Sequence, residues 1–215
     1  MLELVLKLIV GYDGLMRCRR CKKEGWINTH RKVFLIFNGT LFVLAWLFTK
    51  PVIQISVHVA DVLESFGTLF LVTGVIGRFY SSLTIASHKN SQLVTTEMYS
   101  VVRHPLYFFS FFIVIGIGLL TGRLELFAYI TTFYFVCFYP MLLNEERHLV
   151  KTFGEAYGEY AKRVPRLIPN FSKWHGREKM EVDMRLATKT LFDAGSALLL
   201  IPAIEITEYI RHLIV

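Results

Sequence analysis

Long apolar runs, rather than strict alternation, set the pattern of this chain. Residues 33–48 are apolar except at Asn38 and Thr40. Residues 62–85 carry the apolar run 66–76, with Asp61 and Glu64 at its start and Arg78 near its end. Residues 106–120 hold no charge, and 124–143 hold one acid, Glu125, at the edge. A helix that crosses a bilayer takes about 20 mostly apolar residues, so four spans are predicted here. A fifth candidate, 191–214, contains Asp193, Pro202, Glu205, Glu208 and Arg211. Residues 1–10 are apolar but short, carry Glu3 and Lys7, and lead to no small-residue cleavage site. They predict an interfacial helix rather than a signal peptide.

Composition sharpens this picture. Hydrophobic residues make up 53% of the 215 and charged residues only 19%, and mean hydropathy is +0.45. Soluble domains average about 25% charged residues. The expected fold class is therefore all-α: an integral membrane helical bundle of about five transmembrane helices. Three cysteines exclude a disulfide scaffold. The formal charge of +7 is unevenly placed: 16–32 hold seven Lys or Arg, 80–104 two and 144–189 ten, whereas the turns near Lys50 and Arg123 hold one each. Basic loops stay on the cytoplasmic side. The expected protein is thus multi-pass, in a prokaryotic inner membrane or, with the same bias, an endoplasmic reticulum, with its N-terminal segment, middle loop and late loop in the cytoplasm. The charge is then a matter of topology and of anionic lipid, and no nucleic-acid partner is expected, since no readable motif accompanies it.

Three segments carry candidate chemistry. The first is 95–107, which ends in Arg103-His104-Pro105-Leu106-Tyr107 at the mouth of a span. Pro105 suits the first turn of a helix. The free N–H groups of that turn, with Arg103 and His104, favour an anionic group. Tyr107 adds an aromatic face and a hydroxyl. The bland alternative is a membrane boundary with its aromatic belt. The second is Asn144-Glu145-Glu146-Arg147-His148, two carboxylates continuing an apolar helix. Ionisable groups at or in a span are costly and often functional, although a solvated helix end explains them too. The third is 153–169, where Phe153, Tyr157, Tyr160 and Val164 recur at helical spacing. Glu159 and Arg163 form an expected i,i+4 pair, and Pro165 and Pro169 end the helix. An interfacial helix with no ligand would show the same stripe.

Other signals are weaker. Cys18 and Cys21 form a single CxxC, whereas structural zinc takes four ligands, so no metal is expected. Gly67, Gly74, Gly77, Gly116 and Gly118 predict close helix packing. Cys137 is expected in the core, and Asp61 and Glu64 near the outer interface.

Taken together, Arg-His-Pro-x-Tyr, a hairpin, Glu-Glu, Phe-Gly-x-x-Tyr-x-x-Tyr and Pro-Arg-x-Ile-Pro resemble the isoprenylcysteine carboxyl methyltransferase and phospholipid methyltransferase superfamily. The resemblance covers 92–169. It implies an S-adenosylmethionine-dependent membrane enzyme with a cytoplasmic cofactor-binding loop region. Arg103, His104, Pro105 and Tyr107 would contact the cofactor, as would Glu145 or Glu146. Tyr157, Tyr160 and Arg166 would form the lid side, and Leu93, Val94 and Tyr99 the upstream wall. Either Glu146 or Glu145 would position or deprotonate the acceptor, a lipid or prenylated substrate that arrives laterally.

The sequence departs from the superfamily pattern at three places. Glu97 stands where a glycine is usual, Phe109 where some relatives have one, and Met141-Leu142-Leu143 where an arginine can recognise a carboxylate substrate. Isoprenylcysteine carboxyl O-methylation is the leading expectation. The alternatives are phospholipid amine N-methylation and an NADPH-dependent sterol-type reductase. A transporter would show two similar halves, and none are seen. The implied organisation is an interfacial and cytoplasmic segment at 1–32, two spans at 33–85, a methyltransferase core at 86–190, and a C-terminal membrane or interfacial helix at 191–215.

Overall fold

The computed structural model describes residues 25–49, 56–86, 93–176, 188, 191–192 and 195–214. The expected helix at 1–10, Cys18 and Cys21 lie outside these, as do most of the late loop after Gly176 and Asp193.

Among the described residues the regular elements are all helical. They are α1 (Gly25–Phe48), α2 (Val57–Ala86), the four-residue α3 (Met98–Val101), α4 (Pro105–Leu120), α5 (Leu124–Phe153), α6 (Glu155–Arg163), and α7 (Leu200–Ile214), which follows a 3-10 turn at Ser196–Leu199. Two boundaries differ from expectation with consequences. The fourth apolar segment does not end at 143; α5 runs on to Phe153 and carries Glu145 and Glu146 on the same rigid rod. The last segment starts its regular helix only at Leu200, with Pro202 tolerated in the first turn.

Among the described residues two helices are long and apolar enough to cross a membrane, His58–Ile85 within α2 and the whole of α5. Phe37–Phe48, Pro105–Leu120 and Ser196–Thr207 are apolar but shorter. The outer faces of the long helices are themselves apolar: Leu69 and Ile76 on α2, and Phe135, Val136 and Tyr139 on α5, are exposed. Such a surface suits lipid, not water.

Glycines decide how α2 and α4 pack. A Cβ on Gly67 would stand 3.0 Å from the Gly116 carbonyl oxygen, and one on Gly74 2.8 Å from the Ile113 nitrogen. One on Gly77 would enter the Phe109 ring. The two helices run antiparallel with their backbones nearly touching, as small residues allow in membranes. Helix α5 then lies antiparallel to α4: Tyr134 Oη donates to the Tyr107 carbonyl at 2.6 Å, and Phe127 fills the space left by Gly118. On α5 the buried positions are Leu126, Ile130, Tyr134, Phe138, Leu142 and Glu146, one every four residues. The apolar stripe that seats the helix thus delivers a carboxylate at its end. Helix α1 joins through Phe42, stacked on Tyr129 at 6.3 Å, and Arg123 Nη1 donates to the Thr49 carbonyl at 2.6 Å. Cys137 is half-buried and packs against this core.

The antiparallel order brings the end of α2, the start of α4 and the end of α5 to one end of the bundle. The candidate chemistry collects there.

Candidate active site

Pro105 is the first residue of α4 and no side chain caps that start. His104, just before it, is 4% exposed and points into the protein. Opposite, Glu146 accepts from Arg103 Nη1 at 3.0 Å and from His104 Nε2 at 3.3 Å on Oε1. Arg166 closes on the same carboxylate from the late loop, with Nε at 3.0 Å from Oε1 and Nη2 at 2.7 Å from Oε2. One carboxylate therefore receives four hydrogen bonds, three on Oε1 and one on Oε2. All three sequence motifs meet at this point.

A backbone strap fixes the arrangement. Residues 165–175 run antiparallel to 97–103: Arg103 N–H donates to the Pro165 carbonyl at 2.9 Å, Asn170 N–H to Val101 at 3.0 Å, and Glu97 N–H to His175 at 2.8 Å. Helix α6 sits beside it on Tyr157, Tyr160 and Val164, with Leu93, Leu149 and Phe153 around them. Tyr160 Oη donates to the Tyr99 carbonyl at 2.7 Å. On the wet side Glu159 pairs with Lys162 at 2.8 Å, not with Arg163. Arg163 Nε instead reaches the Glu159 carbonyl at 3.3 Å, because Lys162, one turn on, lies closer to the carboxylate.

The predicted residues therefore converge, with Val94 and Glu145 outside the contacts. Tyr107 lies 5.8 Å from the His104 ring and edge-on to Phe138. Tyr99 is buried next to α6, and Leu93 packs on the tyrosine cluster. Val94 is half-buried and stands outside that cluster. Glu145 is half-exposed, one residue from Glu146.

Glu97 is the feature that the sequence could show only as a departure. Its φ is +56° with ψ −133°, backbone space that favours glycine. It is held there by Tyr80 Oη, which donates to its carboxylate at 2.5 Å, and by the bond to His175. Ser100 Oγ donates to the Glu97 carbonyl at 2.6 Å and accepts from His175 N–H at 3.0 Å. Trp174 stacks on Tyr80 at 6.4 Å. Ser100, Asn170 and His175 carried no signal in the sequence, because they act through backbone bonds in a loop without periodicity.

Electrostatics follow from burial. Desolvation lowers the His104 pKa, and the nearby Glu145 and Glu146 carboxylates oppose that only in part. A neutral His104 donates its Nε2 proton to Glu146. Burial, with the Glu145 charge next, holds the Tyr99 phenol well above its ordinary value, so Tyr99 keeps its proton. Burial also raises Tyr157.

Three buried polar atoms here have no hydrogen-bond partner: Thr96 Oγ1, Tyr99 Oη and Arg103 Nε. Unsatisfied buried polar atoms are costly unless something completes them. Open clefts flank the cluster. One of about 560 Å³ lies between Arg103, Val164 and Asn170, and one of about 390 Å³ between Glu146, Val150 and Tyr157. Two guanidiniums face one carboxylate, which leaves a positive excess, and Glu145 adds an acid beside it. This donor and acceptor set fits a zwitterion.

The phospholipid methyltransferase family model matches residues 46–156, more than half of the chain, including α2 to α5. The chain belongs to the phospholipid methyltransferase family, within the superfamily that also holds the isoprenylcysteine methyltransferases, and it is a methyltransferase. The match decides against the reductase weighed from the sequence. Among relatives, the nickel-cobalt-cadmium resistance protein NccN of Alcaligenes xylosoxydans xylosoxydans is 29% identical over 154 residues, 72% of each chain. The protein-S-isoprenylcysteine O-methyltransferase of Schizosaccharomyces pombe is 34% identical over 95 residues, 43% of this chain and 40% of that one. The methanethiol S-methyltransferase of Crocosphaera subtropica is 28% identical over 146 residues, 68% of this chain and 51% of that one. No solved structure matches.

Proposed function

We propose that this protein moves a methyl group from S-adenosylmethionine to a lipidic acceptor within the membrane, most like isoprenylcysteine carboxyl O-methylation. The convergence of Arg103, His104 and Arg166 on Glu146 carries this reading. The similarity to an isoprenylcysteine O-methyltransferase supports the acceptor class. The description of the matching family favours a second acceptor, a phospholipid amine.

When bound, S-adenosylmethionine would supply an electrophilic methyl carbon on a sulfonium, with the neutral thioether as the leaving group. The chain's residues bind and orient. Arg103 and Arg166, locked in place by Glu146, present positive charge to a carboxylate. Glu145, free of that lock, faces an ammonium or takes a proton from the acceptor. Glu146 is a positioning residue, since it ties Arg103, His104 and Arg166 together. Tyr99 and Tyr157 offer hydroxyls that stay protonated, and α6 with the strap shields the site from water. Holding donor and acceptor in line lowers the barrier without metal or covalent intermediate.

The basic segments favour the cytoplasmic side for this end of the bundle, in a multi-pass inner-membrane protein whose core at 86–190 would lie between two N-terminal spans and a C-terminal membrane or interfacial helix. The remaining apolar helices would complete a bundle of about five spans. The test is incubation of the purified protein with radiolabelled S-adenosylmethionine and membrane lipid extract. Label in the lipid fraction, lost in Glu145→Gln, is expected; label absent from lipid with the wild type would overturn the reading.

A further inference from the structure

The strap wears apolar side chains on its outside. Ile168 is 81% exposed and Phe171 62%, with Leu167 and Trp174 exposed near them. Large apolar groups gathered on a surface mark a place where something other than water sits. Ile168 and Phe171 line the larger of the two clefts together with Arg103, Lys162, Arg163 and Lys173, and among the described residues no acid lines it. Two of these four cations are already matched, Arg103 to Glu146 at 3.0 Å and Lys162 to Glu159 at 2.8 Å. The other two meet only neutral acceptors. Arg163 gives its Nε to the Glu159 carbonyl at 3.3 Å, and Lys173 Nζ donates to the Arg163 carbonyl. Neither has a carboxylate partner among the described residues, so two uncompensated charges share the cleft with two bare apolar side chains.

The height of the strap on the bundle says what covers it. Trp174, next to Lys173, stacks on Tyr80 at 6.4 Å. Tyr80 belongs to His58–Ile85, the stretch of α2 that is long and apolar enough to cross a membrane, and lies six residues from the helix end at Ala86, about 9 Å at 1.5 Å per residue. Asn170 bonds to Val101, four residues before Pro105 opens α4. The strap therefore runs beside the last turns of α2 and the start of α4, the height at which headgroups meet acyl chains around a spanning helix. Tryptophan is at home there, and there apolar side chains reach acyl chains while Lys and Arg reach headgroups. A soluble anion would match the charges and leave Ile168 and Phe171 in water. An uncharged apolar partner would cover those two and strand the charges. A zwitterionic headgroup brings an ammonium of its own. A phospholipid of net negative charge satisfies both halves of the cleft.

We propose that the outside of the strap is a binding site for an anionic phospholipid: Arg163 and Lys173 hold its headgroup, and Ile168 and Phe171 enter the acyl layer beside it. The lipid fastens the lid to the membrane surface. The site is distinct from the cluster on Glu146, because Arg103 reaches this cleft with its guanidinium already committed to that carboxylate. The inference goes beyond the methyl-transfer reading and does not depend on it; it requires only that the bundle sits in a bilayer.

The test uses full-length protein in phosphatidylcholine nanodiscs, into which dibrominated phosphatidylglycerol or, as reference, dibrominated phosphatidylcholine is titrated. Bromine quenches tryptophan at short range, and the share of Trp174 is the difference between the wild type and Trp174→Phe. Both lipids should quench that share, with an exchange constant that favours phosphatidylglycerol at least about fivefold, the enrichment that one basic side chain gives near an anionic surface. The pair Arg163→Gln with Lys173→Gln should bring the constant close to one, and Arg163→Lys with Lys173→Arg should keep the preference. Ile168→Ser with Phe171→Ser should weaken quenching by both lipids. The dissociation constant of S-adenosylhomocysteine, by calorimetry, should hold within about twofold in the glutamine pair. No quenching of Trp174 by either lipid, an exchange constant of one in the wild type, or a preference that survives the glutamine pair would overturn the inference. So would a loss of S-adenosylhomocysteine binding in that pair, which would assign the cleft to the donor site. A wild type that keeps the lipid preference and binds no S-adenosylhomocysteine would remove the methyltransferase reading and leave this inference standing.

Discussion

Arg166 grips Glu146 through two parallel hydrogen bonds, 3.0 and 2.7 Å long, across a chain separation of 20 residues. This fork joins the late loop to the end of α5 and makes the lid part of the site. A guanidinium matches a carboxylate in this way and an ammonium does not. Arg166→Lys is therefore expected to behave nearly as poorly as Arg166→Ala. The measurement is the dissociation constant of S-adenosylhomocysteine, which rises at least about tenfold in both variants. Near-wild-type binding in Arg166→Lys would show that charge alone suffices.

Glu146 is the hub, and removing its charge leaves Arg103 and Arg166 without their counter-ion. Glu146→Gln should lower thermal stability as well as donor binding, by about 1–3 kcal/mol, since Arg166 is part-exposed and screened. Glu145→Gln should leave the melting temperature nearly unchanged and reduce turnover. The two neighbours are thus separable by thermal melts and turnover measured side by side.

His104 gives the pH dependence a sign. Its folded pKa is lowered below 6.5 by burial, so the folded protein binds this proton less readily than the unfolded chain. Stability from this residue is present above pH 6.5 and is lost as pH falls below that value. Melting temperatures should drop as pH falls from 7 to about 5, and His104→Gln should flatten that slope. An unchanged slope in the variant would assign the dependence to other groups.

Glu97 combines a strained backbone with a favourable side-chain bond. Its φ of +56° costs about 1–3 kcal/mol, which Glu97→Gly relieves, but the substitution also loses the bond from Tyr80. In a Tyr80→Phe background that bond is already gone. There Glu97→Gly should raise the melting temperature, whereas in the wild-type background it should be near neutral. A double-mutant thermal cycle measures the difference.

The α2–α4 contact makes a structural prediction with no chemistry in it. A Cβ on Gly74 would meet the Ile113 backbone nitrogen at 2.8 Å, and backbone cannot yield as a side chain can. Gly74→Ala should therefore destabilise by about 1–3 kcal/mol, measured by thermal melting in detergent. Gly158→Ala, with open space around it, should not.

Much of this was legible in the sequence because its physics is local. Apolar runs marked the helices, Pro105 marked a helix start, and the 153–164 stripe marked the face of α6 that is buried. The glycines on α2 and α4 announced close packing before their partners were known. What stayed hidden was long-range. Nothing in the order Asn144-Glu145-Glu146 says which acid turns inward; the four-residue stripe that continues from Leu142 to Glu146 decides it, and that stripe shows only once α5 is known to run past residue 143. The strap through Asn170 and His175 relies on backbone bonds, which any side chain permits. Arg78 read as the edge of a span until the packing of α2 on α4 set it against Ser110.

The central claim is that the start of α4 and the end of α5 together hold a sulfonium methyl donor. Calorimetric titration of the purified protein with S-adenosylmethionine tests it most directly. A saturable heat in the wild type, weakened at least about tenfold in both Glu145→Gln and Arg103→Gln, is the expected result. No heat in the wild type, or a heat that both variants leave intact, would contradict the account.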